Sequence, residues 1–153
     1  MIKHENTAVA IIESPDGFVL ERRPDLPGKL AYPGMLQFFG GHIEEGEDAA
    51  EALIREMGEE TNLGKNLRDN PSRLVPRETV EFTGQGKQDE PVLRTVSVFT
   101  LKLADGEQVQ SSEEENAEVV VIPATQEGID GHRAEITAFA LSMLEKVLSN
   151  KED

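Results

Sequence analysis

Residues Gly40 to Leu63 read GGHIEEGEDAAEALIREMGEETNL. The glycine pair at the start is typical of a tight turn, and a helix is predicted from Asp48 to Thr61. Asp48 has the chemistry of an N-cap, with Glu51 at the spacing of a capping box. With about 100° between successive residues, the apolar side chains of this segment share one broad arc. The helix is therefore expected to pack against a core through one face.

Three glutamates border that apolar face, at Glu56, Glu59 and Glu60. Their i, i+3 and i+4 spacing places like charges along one edge of the helix, where they repel. A divalent cation between them would offset the repulsion, and hard oxygen ligands suit Mg²⁺ or Mn²⁺. A solvated acidic helix also explains this spacing. Arg55 has Glu51 and Glu59 at i−4 and i+4, so it is expected to brace the cluster from the side.

The complete string resembles the signature of the Nudix hydrolases, G-x5-E-x7-R-E-U-x-E-E-x-G-U with U aliphatic. Counted from Gly41, its fixed positions fall on Glu47, Arg55, Glu56, Met57, Glu59, Glu60, Asn62 and Leu63. Asn62 departs from the pattern, because the family has its second glycine there. The position follows the helix end, where a left-handed residue is expected, and asparagine is the commonest non-glycine residue that adopts this conformation.

The resemblance implies a metal site with Glu56, Glu59 and Glu60 as the principal ligands, and the carbonyl oxygen of Gly41 is often added. Glu56 is also the nearest candidate within the signature to orient or deprotonate water, although Nudix enzymes differ in which residue is the base.

The resemblance also implies that Glu47 and Arg55 pair to fix the loop onto the helix. These two residues would thus support catalysis structurally. Many family members draw a further acidic ligand from a loop outside the signature. The acidic segment before Glu118 resembles such a loop, and Glu114 or Glu115 is the candidate ligand. A solvated acidic loop explains the same residues.

The substrate-side candidates lie before the signature. Arg22 and Arg23 end a predicted strand near it, and they lead a group of cationic candidates that also contains Lys29 and Arg94. Phe38 and Phe39 precede the glycine pair and are candidates to stack on a base, although an aromatic at strand spacing is more often a core residue. Phe39 and Gly40 complete the predicted substrate contacts.

The chain mixes strands and helices, which suggests an α/β sandwich with a mixed sheet. The resemblance implies the α/β/α sandwich of Nudix domains. A hairpin is predicted from residues 7–13 and 18–22, and a strand at residues 92–103 is expected to pair with residues 118–122. Residues 64–76 are predicted to form a loop, and a closing helix is predicted near residues 133–149.

Size and composition restrict the class of protein. The 153 residues suit a single Nudix domain spanning residues 1–153. Thirty acidic residues against fifteen basic ones give a net charge of −15, which argues against nucleic acid or an anionic membrane as a partner. The chain has no cysteine and only a short apolar run near its start, so a cytoplasmic location is expected. Dimers are common among Nudix enzymes, and a homodimer is compatible with the sequence.

The function predicted from these features is a Mg²⁺- or Mn²⁺-dependent pyrophosphohydrolase acting on a nucleoside diphosphate linked to another group. Nucleotide sugars, ADP-ribose, dinucleoside polyphosphates and nucleoside triphosphates all remain open as substrates. The alternative is a Nudix-like module that binds a nucleotide or metabolite as a sensor without catalysis. Isopentenyl diphosphate isomerisation on the same fold works through a catalytic cysteine, which this chain lacks.

Overall fold

The computed structural model describes residues 2–24, 28, 31–112 and 117–152. Its strands are β1 (Lys3–Ser14), β2 (Gly17–Arg22), β3 (Leu36–Gln37), β4 (Phe39–His42), β5 (Val75–Gln85), β6 (Pro91–Lys102) and β7 (Glu118–Ile122). Its helices are α1 (Ala49–Glu60), α2 (Gly64–Asp69), α3 (Gln126–His132) and α4 (Ala138–Glu152), with 3₁₀ turns at Pro71–Arg73 and Arg133–Glu135. No helix within these residues is long and apolar enough to cross a membrane.

Strand β1 lies at the centre of one mixed sheet. It pairs in parallel with β6, and on its other edge it pairs antiparallel with β4 and then with β2. The predicted β1–β2 hairpin is present, and it turns between Ser14 and Gly17, where the Ser14 hydroxyl donates to the Gly17 carbonyl at 3.0 Å. β5 extends the sheet beyond β6, whereas β3 and β7 both pair with β2.

The side chains of β1 alternate between two hydrophobic layers. Ala10 and Ile12 face α1, whose Leu53 and Met57 are fully buried in the same cluster. Ile11 faces the opposite layer, which contains the apolar face of α4. Burying one such large side chain stabilises the fold by roughly 1.5–3 kcal/mol. Because helices cover both faces of the sheet, the predicted α/β/α sandwich is confirmed.

Two predictions about pairing and loops were wrong. Strand β7 pairs with β2, not with β6, because β6 is already enclosed by β1 and β5. Alternation along a strand shows which face is buried, but it does not identify the neighbouring strand. Within the predicted 64–76 loop, residues 64–69 form α2, because Leu67 is fully buried there.

The closing helix also begins later than predicted. α4 starts at Ala138, where the Thr137 hydroxyl accepts a hydrogen bond from the Ala140 N–H at 3.3 Å. α3 and a 3₁₀ turn precede it, so the apolar period that starts near residue 133 spans two elements, the 3₁₀ turn and α4. A 3.6-residue period does not reveal such a break unless a capping residue is recognised as well.

The end of α1 differs from its prediction in conformation. Asn62 is not left-handed, since Tyr32 and Asp89 are the non-glycine residues with positive φ in the described part of the chain. Its side chain instead donates to the Gln108 carbonyl at 2.9 Å and accepts from the Gln110 N–H at 2.8 Å. The asparagine therefore joins the end of α1 to the segment after β6, a contact that glycine could not make.

An ion pair between Arg73 and Glu107 predicts a measurable pH dependence of stability. The two side chains form a bidentate pair with N···O distances of 2.6 and 3.0 Å, and the Arg73 guanidinium lowers the pKa of Glu107. A lowered folded-state pKa means that this contribution is present at neutral pH and is lost as the pH falls below the ordinary range for glutamate. We expect Glu107→Gln to destabilise the protein by about 1 kcal/mol at pH 7.

Urea unfolding at pH 7 and in acid would test this expectation. The difference between the wild type and Glu107→Gln should shrink as the pH falls. Asp105→Asn, at an exposed position nearby, is the control for removing one negative charge. A difference that stayed constant with pH would contradict the role given to the pair.

Candidate active site

The capping box fixes the start of α1. The Asp48 carboxylate accepts from the Glu51 N–H at 2.8 Å, and the Glu51 carboxylate accepts from the Asp48 N–H at 3.3 Å, as predicted. From this start the helix turns Glu56 and Glu60, which are i and i+4, toward β4. The Glu56 side chain is 18% exposed and Glu60 is 9% exposed, whereas the Glu59 side chain is 57% exposed. The three glutamates therefore divide into two that face the protein and one that faces solvent.

Gly40 and Gly41 lie in strand β4, and not in the predicted turn. Gly40 has a φ of 149°, and a Cβ there would overlap the carbonyl oxygen of Ala8 on β1. A Cβ on Gly41 would overlap the carboxyl group of Glu56. The N–H of Gly40 donates to Glu60 Oε1 at 3.3 Å. The missing side chain of Gly41 makes room for Glu56, and the backbone N–H of Gly40 bonds Glu60, so two carboxylates of α1 lie directly against the backbone of β4.

Arg55 joins the loop, the helix and the end of β4. Its guanidinium donates to both carboxylate oxygens of Glu47, at 2.8 and 3.0 Å. It also donates to Glu56 Oε1 at 2.9 Å and to the His42 carbonyl at 2.9 Å. Glu59 lies further away, at 3.5 Å. An arginine whose donors are shared in this way holds the Glu56 carboxylate in one orientation.

The electrostatics of this cluster are unbalanced toward negative charge. Burial raises the pKa of the Glu56 carboxyl, although the hydrogen bond and the charge of Arg55 act in the opposite direction. Hydrogen bonds from Arg55 and from the Glu44 N–H lower the pKa of Glu47. One guanidinium thus faces several carboxylates, and a cation would offset the remaining negative charge.

The donor set at this edge suits a hard cation. The Glu56 carboxylate lies beside Gly41 and the Glu60 carboxylate beside Gly40, and oxygen ligands are those that Mg²⁺ and Mn²⁺ prefer. Among the residues that the structure describes, no three His, Cys, Asp or Glu side chains come together as a ready metal site. The carboxylates of Glu56 and Glu60 instead accept hydrogen bonds from Arg55 and from the Gly40 N–H. Their oxygen atoms fit such an ion chemically.

The fourth predicted ligand cannot be placed in the same way. Glu114 and Glu115 lie outside the described residues, as does the cationic candidate Lys29.

A cavity of about 210 Å³ begins at this edge and crosses the sheet on its α4 side. Glu60 and Gly40 line one end of it. Three aromatic rings form a wall, in which Phe82 stacks on Phe139 at 4.7 Å and Phe38 meets Phe139 edge-on at 6.2 Å. The cavity therefore combines carboxylates at one end with a flat apolar surface further in.

The charges around the cavity are balanced, unlike those of the whole chain. Its acidic lining residues are matched in number by basic ones, and these are Glu5, Glu21, Glu60 and Glu90 against Lys3, Arg23, Lys87 and Arg94. In a chain with twice as many acids as bases, this balance lets an anionic ligand meet less repulsion in the cavity than the net charge of the chain would suggest.

The structure brings two of the four predicted substrate residues to the cavity. Arg23 and Gly40 line it. Arg22 is held elsewhere by Glu118 at 3.1 Å and by a second carboxylate. Phe39 is fully buried in the α1 layer, because successive residues of a strand point to opposite faces, and the neighbouring Phe38 lines the cavity instead.

Sequence reasoning missed several cavity residues. Glu21, Tyr32 and Phe139 carry no motif, and they come from three distant segments. Glu21 is 6% exposed, but β2 is buried at each position from Gly17 to Glu21, so no alternation along the strand marks this acid. Tyr32 and Phe139 enter the cavity through tertiary packing that no local pattern encodes.

Comparisons with known proteins identify the family and the fold of this chain. The NUDIX domain family matches residues 3–145. Three similar solved structures show the same fold at low sequence identity. The MutT protein from Methanosarcina mazei Go1 is 19% identical with a TM-score of 0.72, and the match covers 99% of this chain and 97% of that chain. The E. coli dihydroneopterin triphosphate pyrophosphohydrolase is 21% identical with a TM-score of 0.68, and the match covers 98% of this chain and 99% of that chain. A bifunctional NMN adenylyltransferase/ADP ribose pyrophosphatase from Francisella tularensis, complexed with AMP and a Mn ion, is 18% identical with a TM-score of 0.68, and the match covers 98% of this chain and 42% of that chain. No curated protein sequence matches the chain.

The α/β/α sandwich and the match to the NUDIX domain identify the chain as a hydrolase that acts on phosphoric anhydride bonds. The chain belongs to the Nudix family, whose members generally depend on a divalent metal ion.

Proposed function

We propose that this protein is a Mg²⁺- or Mn²⁺-dependent pyrophosphohydrolase that cleaves a nucleoside diphosphate linked to another group. The observation that carries the proposal is the position of Glu56 and Glu60, whose carboxylates lie against the β4 glycines where the charge-balanced cavity begins. The substrate class comprises nucleotide sugars, ADP-ribose and nucleoside triphosphates. The Francisella tularensis relative, which is complexed with AMP and Mn, supports a nucleotide ligand and a divalent metal ion for this chain as well.

The side chains divide the work of hydrolysis between them. The attacking water must lose a proton as its oxygen bonds to phosphorus and the bridging oxygen leaves. Glu56 is the proposed acceptor of that proton, because its carboxylate lies beside Gly41 at the carboxylate edge and Arg55 keeps it oriented. Glu56, Glu59, Glu60 and the Gly41 carbonyl would hold a divalent ion. When bound, that ion would neutralise charge on the phosphate oxygens and lower the pKa of the water. Arg23 would meet the negative charge of the substrate from the cavity side.

A product-release screen tests the proposed function. The protein would be incubated with ADP-ribose, nucleotide sugars, dinucleoside polyphosphates and nucleoside triphosphates, each with Mg²⁺ or Mn²⁺. We expect a nucleoside monophosphate to be released from at least one class and EDTA to stop the reaction. Tight binding of these compounds without any product in either metal would contradict the proposal and would favour a sensor.

Arg55 is proposed to act on the reaction by positioning Glu56. Lysine keeps the charge but cannot make the fork that reaches Glu47, Glu56 and the His42 carbonyl together. We expect Arg55→Lys to lower kcat by about 10–100-fold, the usual cost of losing a residue that orients a metal ligand. Steady-state kinetics and the Mg²⁺ concentration for half-maximal rate would be measured.

The matched control is Arg68→Lys, an exposed arginine of α2. Wild-type kcat in Arg55→Lys, with an unchanged Mg²⁺ requirement, would remove the positioning role.

A further inference from the structure

The connection between β6 and β7 runs beside the end of α1 as a short antiparallel ladder. The N–H of Asn62 donates to the Gln110 carbonyl at 3.2 Å, and the N–H of Ser112 donates to the Glu60 carbonyl at 2.7 Å. An antiparallel bridge of the same two segments lies between these bonds. The backbone of Glu60, a proposed metal ligand, is therefore bonded directly to this connection.

The side chain of Asn62 holds the outer end of the ladder. Its amide group donates to the Gln108 carbonyl at 2.9 Å, and its oxygen accepts from the Gln110 N–H at 2.8 Å. Three hydrogen bonds thus join Asn62 to the connection, and two of them need its side chain. The family signature has glycine at this position, and glycine could make the backbone bond alone.

The first part of the connection has anchors of its own. The Arg73 guanidinium donates to both carboxylate oxygens of Glu107, at 2.6 and 3.0 Å. Val109 is 8% exposed and is buried in the hydrophobic layer that contains α1. Loss of the Asn62 side chain would therefore loosen residues 110–112 and leave the start of the connection in place.

The acidic segment of the chain begins where the ladder ends. Residues 113–116 lie outside the described residues, but both of their flanks are bonded. The Ser112 flank is bonded to α1, and at the other flank the Ala117 N–H donates to the Ser111 hydroxyl oxygen at 3.3 Å. Because two residues of chain span at most about 7 Å, a movement of either flank displaces the residues between them. The position of the candidate ligand in this segment therefore depends on the ladder.

Electrostatic repulsion opposes the approach of this segment to α1. Glu59 and Glu60 occupy the last turn of α1, which contains no basic residue. Negative charge is unfavourable at the C-terminal end of a helix, and further carboxylates brought to this edge repel those already there. In the metal-free protein the ladder must therefore hold the segment against repulsion. If most molecules released it, the apparent affinity for a metal ion would fall with the fraction that remained competent.

We propose that Asn62 is a positioning residue of the active site, which holds the acidic segment at the carboxylate edge of α1 so that a glutamate of that segment completes the metal site. Both polar atoms of the Asn62 side chain are used by the connection, so this residue acts on the reaction through that segment. The inference rests on the proposed function, since a metal ion at this edge is part of that proposal.

Amide hydrogen exchange without metal tests the ladder itself. We expect Asn62→Gly to speed exchange at Gln110 and Ser112 by about tenfold, the scale for two exposed hydrogen bonds near the lower end of their net contribution, and to leave the centre of α1 unchanged. Asn62→Ala should have the same effect, which separates the loss of the side chain from the backbone freedom of glycine. Asn70→Gly is the matched control, because this exposed asparagine instead donates to the Asn66 carbonyl at the end of α2.

Calorimetric titration with Mn²⁺, in the absence of substrate, tests the link from the ladder to the metal site. We expect both Asn62 variants to bind Mn²⁺ about tenfold more weakly, the lower range for residues that orient a metal ligand, and Asn70→Gly to bind it like the wild type. A double-mutant cycle adds Glu114→Gln together with Glu115→Gln. In that background Asn62→Gly should not weaken Mn²⁺ binding further, because the ligand that Asn62 positions is already gone.

Several results would overturn the inference. Wild-type exchange or wild-type Mn²⁺ affinity in both Asn62 variants would do so. Equal weakening of Mn²⁺ binding by Asn62→Gly with and without the two loop glutamates would also do so, because Asn62 would then act on the metal site without the acidic segment. A defect confined to Asn62→Gly would assign the effect to backbone freedom, and it would overturn the inference as well.

The same measurements separate this inference from the proposed function. Mn²⁺ binding that depends on Asn62 and on the loop glutamates would support the inference even if none of the screened compounds were hydrolysed, and the proposed function alone would then fail. Metal-dependent hydrolysis by the wild type, with unchanged Mn²⁺ affinity in both Asn62 variants, would leave the proposed function in place and remove the positioning role.

Discussion

Replacing Glu60 by glutamine is expected to remove most of the hydrolytic turnover while the fold remains. Glu60 is 9% exposed and accepts from the Gly40 N–H, and a glutamine oxygen can accept the same bond. The substitution therefore removes a negative charge with little change of shape. We expect kcat to fall by about 10²–10³-fold, the scale for losing one preorganised electrostatic group. The rate as a function of Mg²⁺ concentration and the circular dichroism spectrum would be measured together.

The control for Glu60→Gln is Glu127→Gln, which removes the same charge at an exposed position in the first turn of α3. That variant should match the wild type in both measurements. Near-wild-type Mg²⁺-dependent hydrolysis by Glu60→Gln would mean that the carboxylate edge of α1 is not the active site.

The elements that carry local signals were predictable. The cap at Asp48, the helix that follows it and the hairpin at Gly17 each rest on a pattern of a few neighbouring residues, and the structure contains all three. The pairing of Arg55 with Glu47 followed from the family resemblance, and the two side chains are in contact. These features depend on local spacing, which the sequence states directly.

The features that depend on distant contacts were not predictable. Asn62 was expected to be left-handed because only the helix end was considered, yet its side chain bonds the segment around residues 108–110. Tertiary packing decides that β7 pairs with β2, and it also places Tyr32 beside Arg94. The same limit applies to Gly40 and Gly41, because the close approach of Ala8 and Glu56 to these two glycines comes from tertiary packing.

Gly41→Ala is expected to have the second large effect on turnover, through displacement of Glu56. Gly41 has no positive φ, so alanine brings no backbone strain, and the three atoms nearest to the added methyl group all belong to the Glu56 carboxyl group. That group is the end of a flexible side chain, so it moves and the strand does not. Because displacing a reacting group by about 1 Å can cost about 10²-fold in rate, we expect kcat to fall by that order.

Gly131→Ala provides the matched control for this substitution. Gly131 lies within α3 and has no atom within 4 Å of an added Cβ, so alanine there should keep full activity. Both variants should unfold close to the wild-type temperature, since the overlap at Gly41 is relieved by a side chain. Wild-type kcat in Gly41→Ala would show that the approach of Glu56 to β4 is unimportant for the reaction. A low kcat with an unchanged unfolding temperature would instead mean that the missing side chain of Gly41 serves the chemistry of Glu56 and not the stability of the sheet.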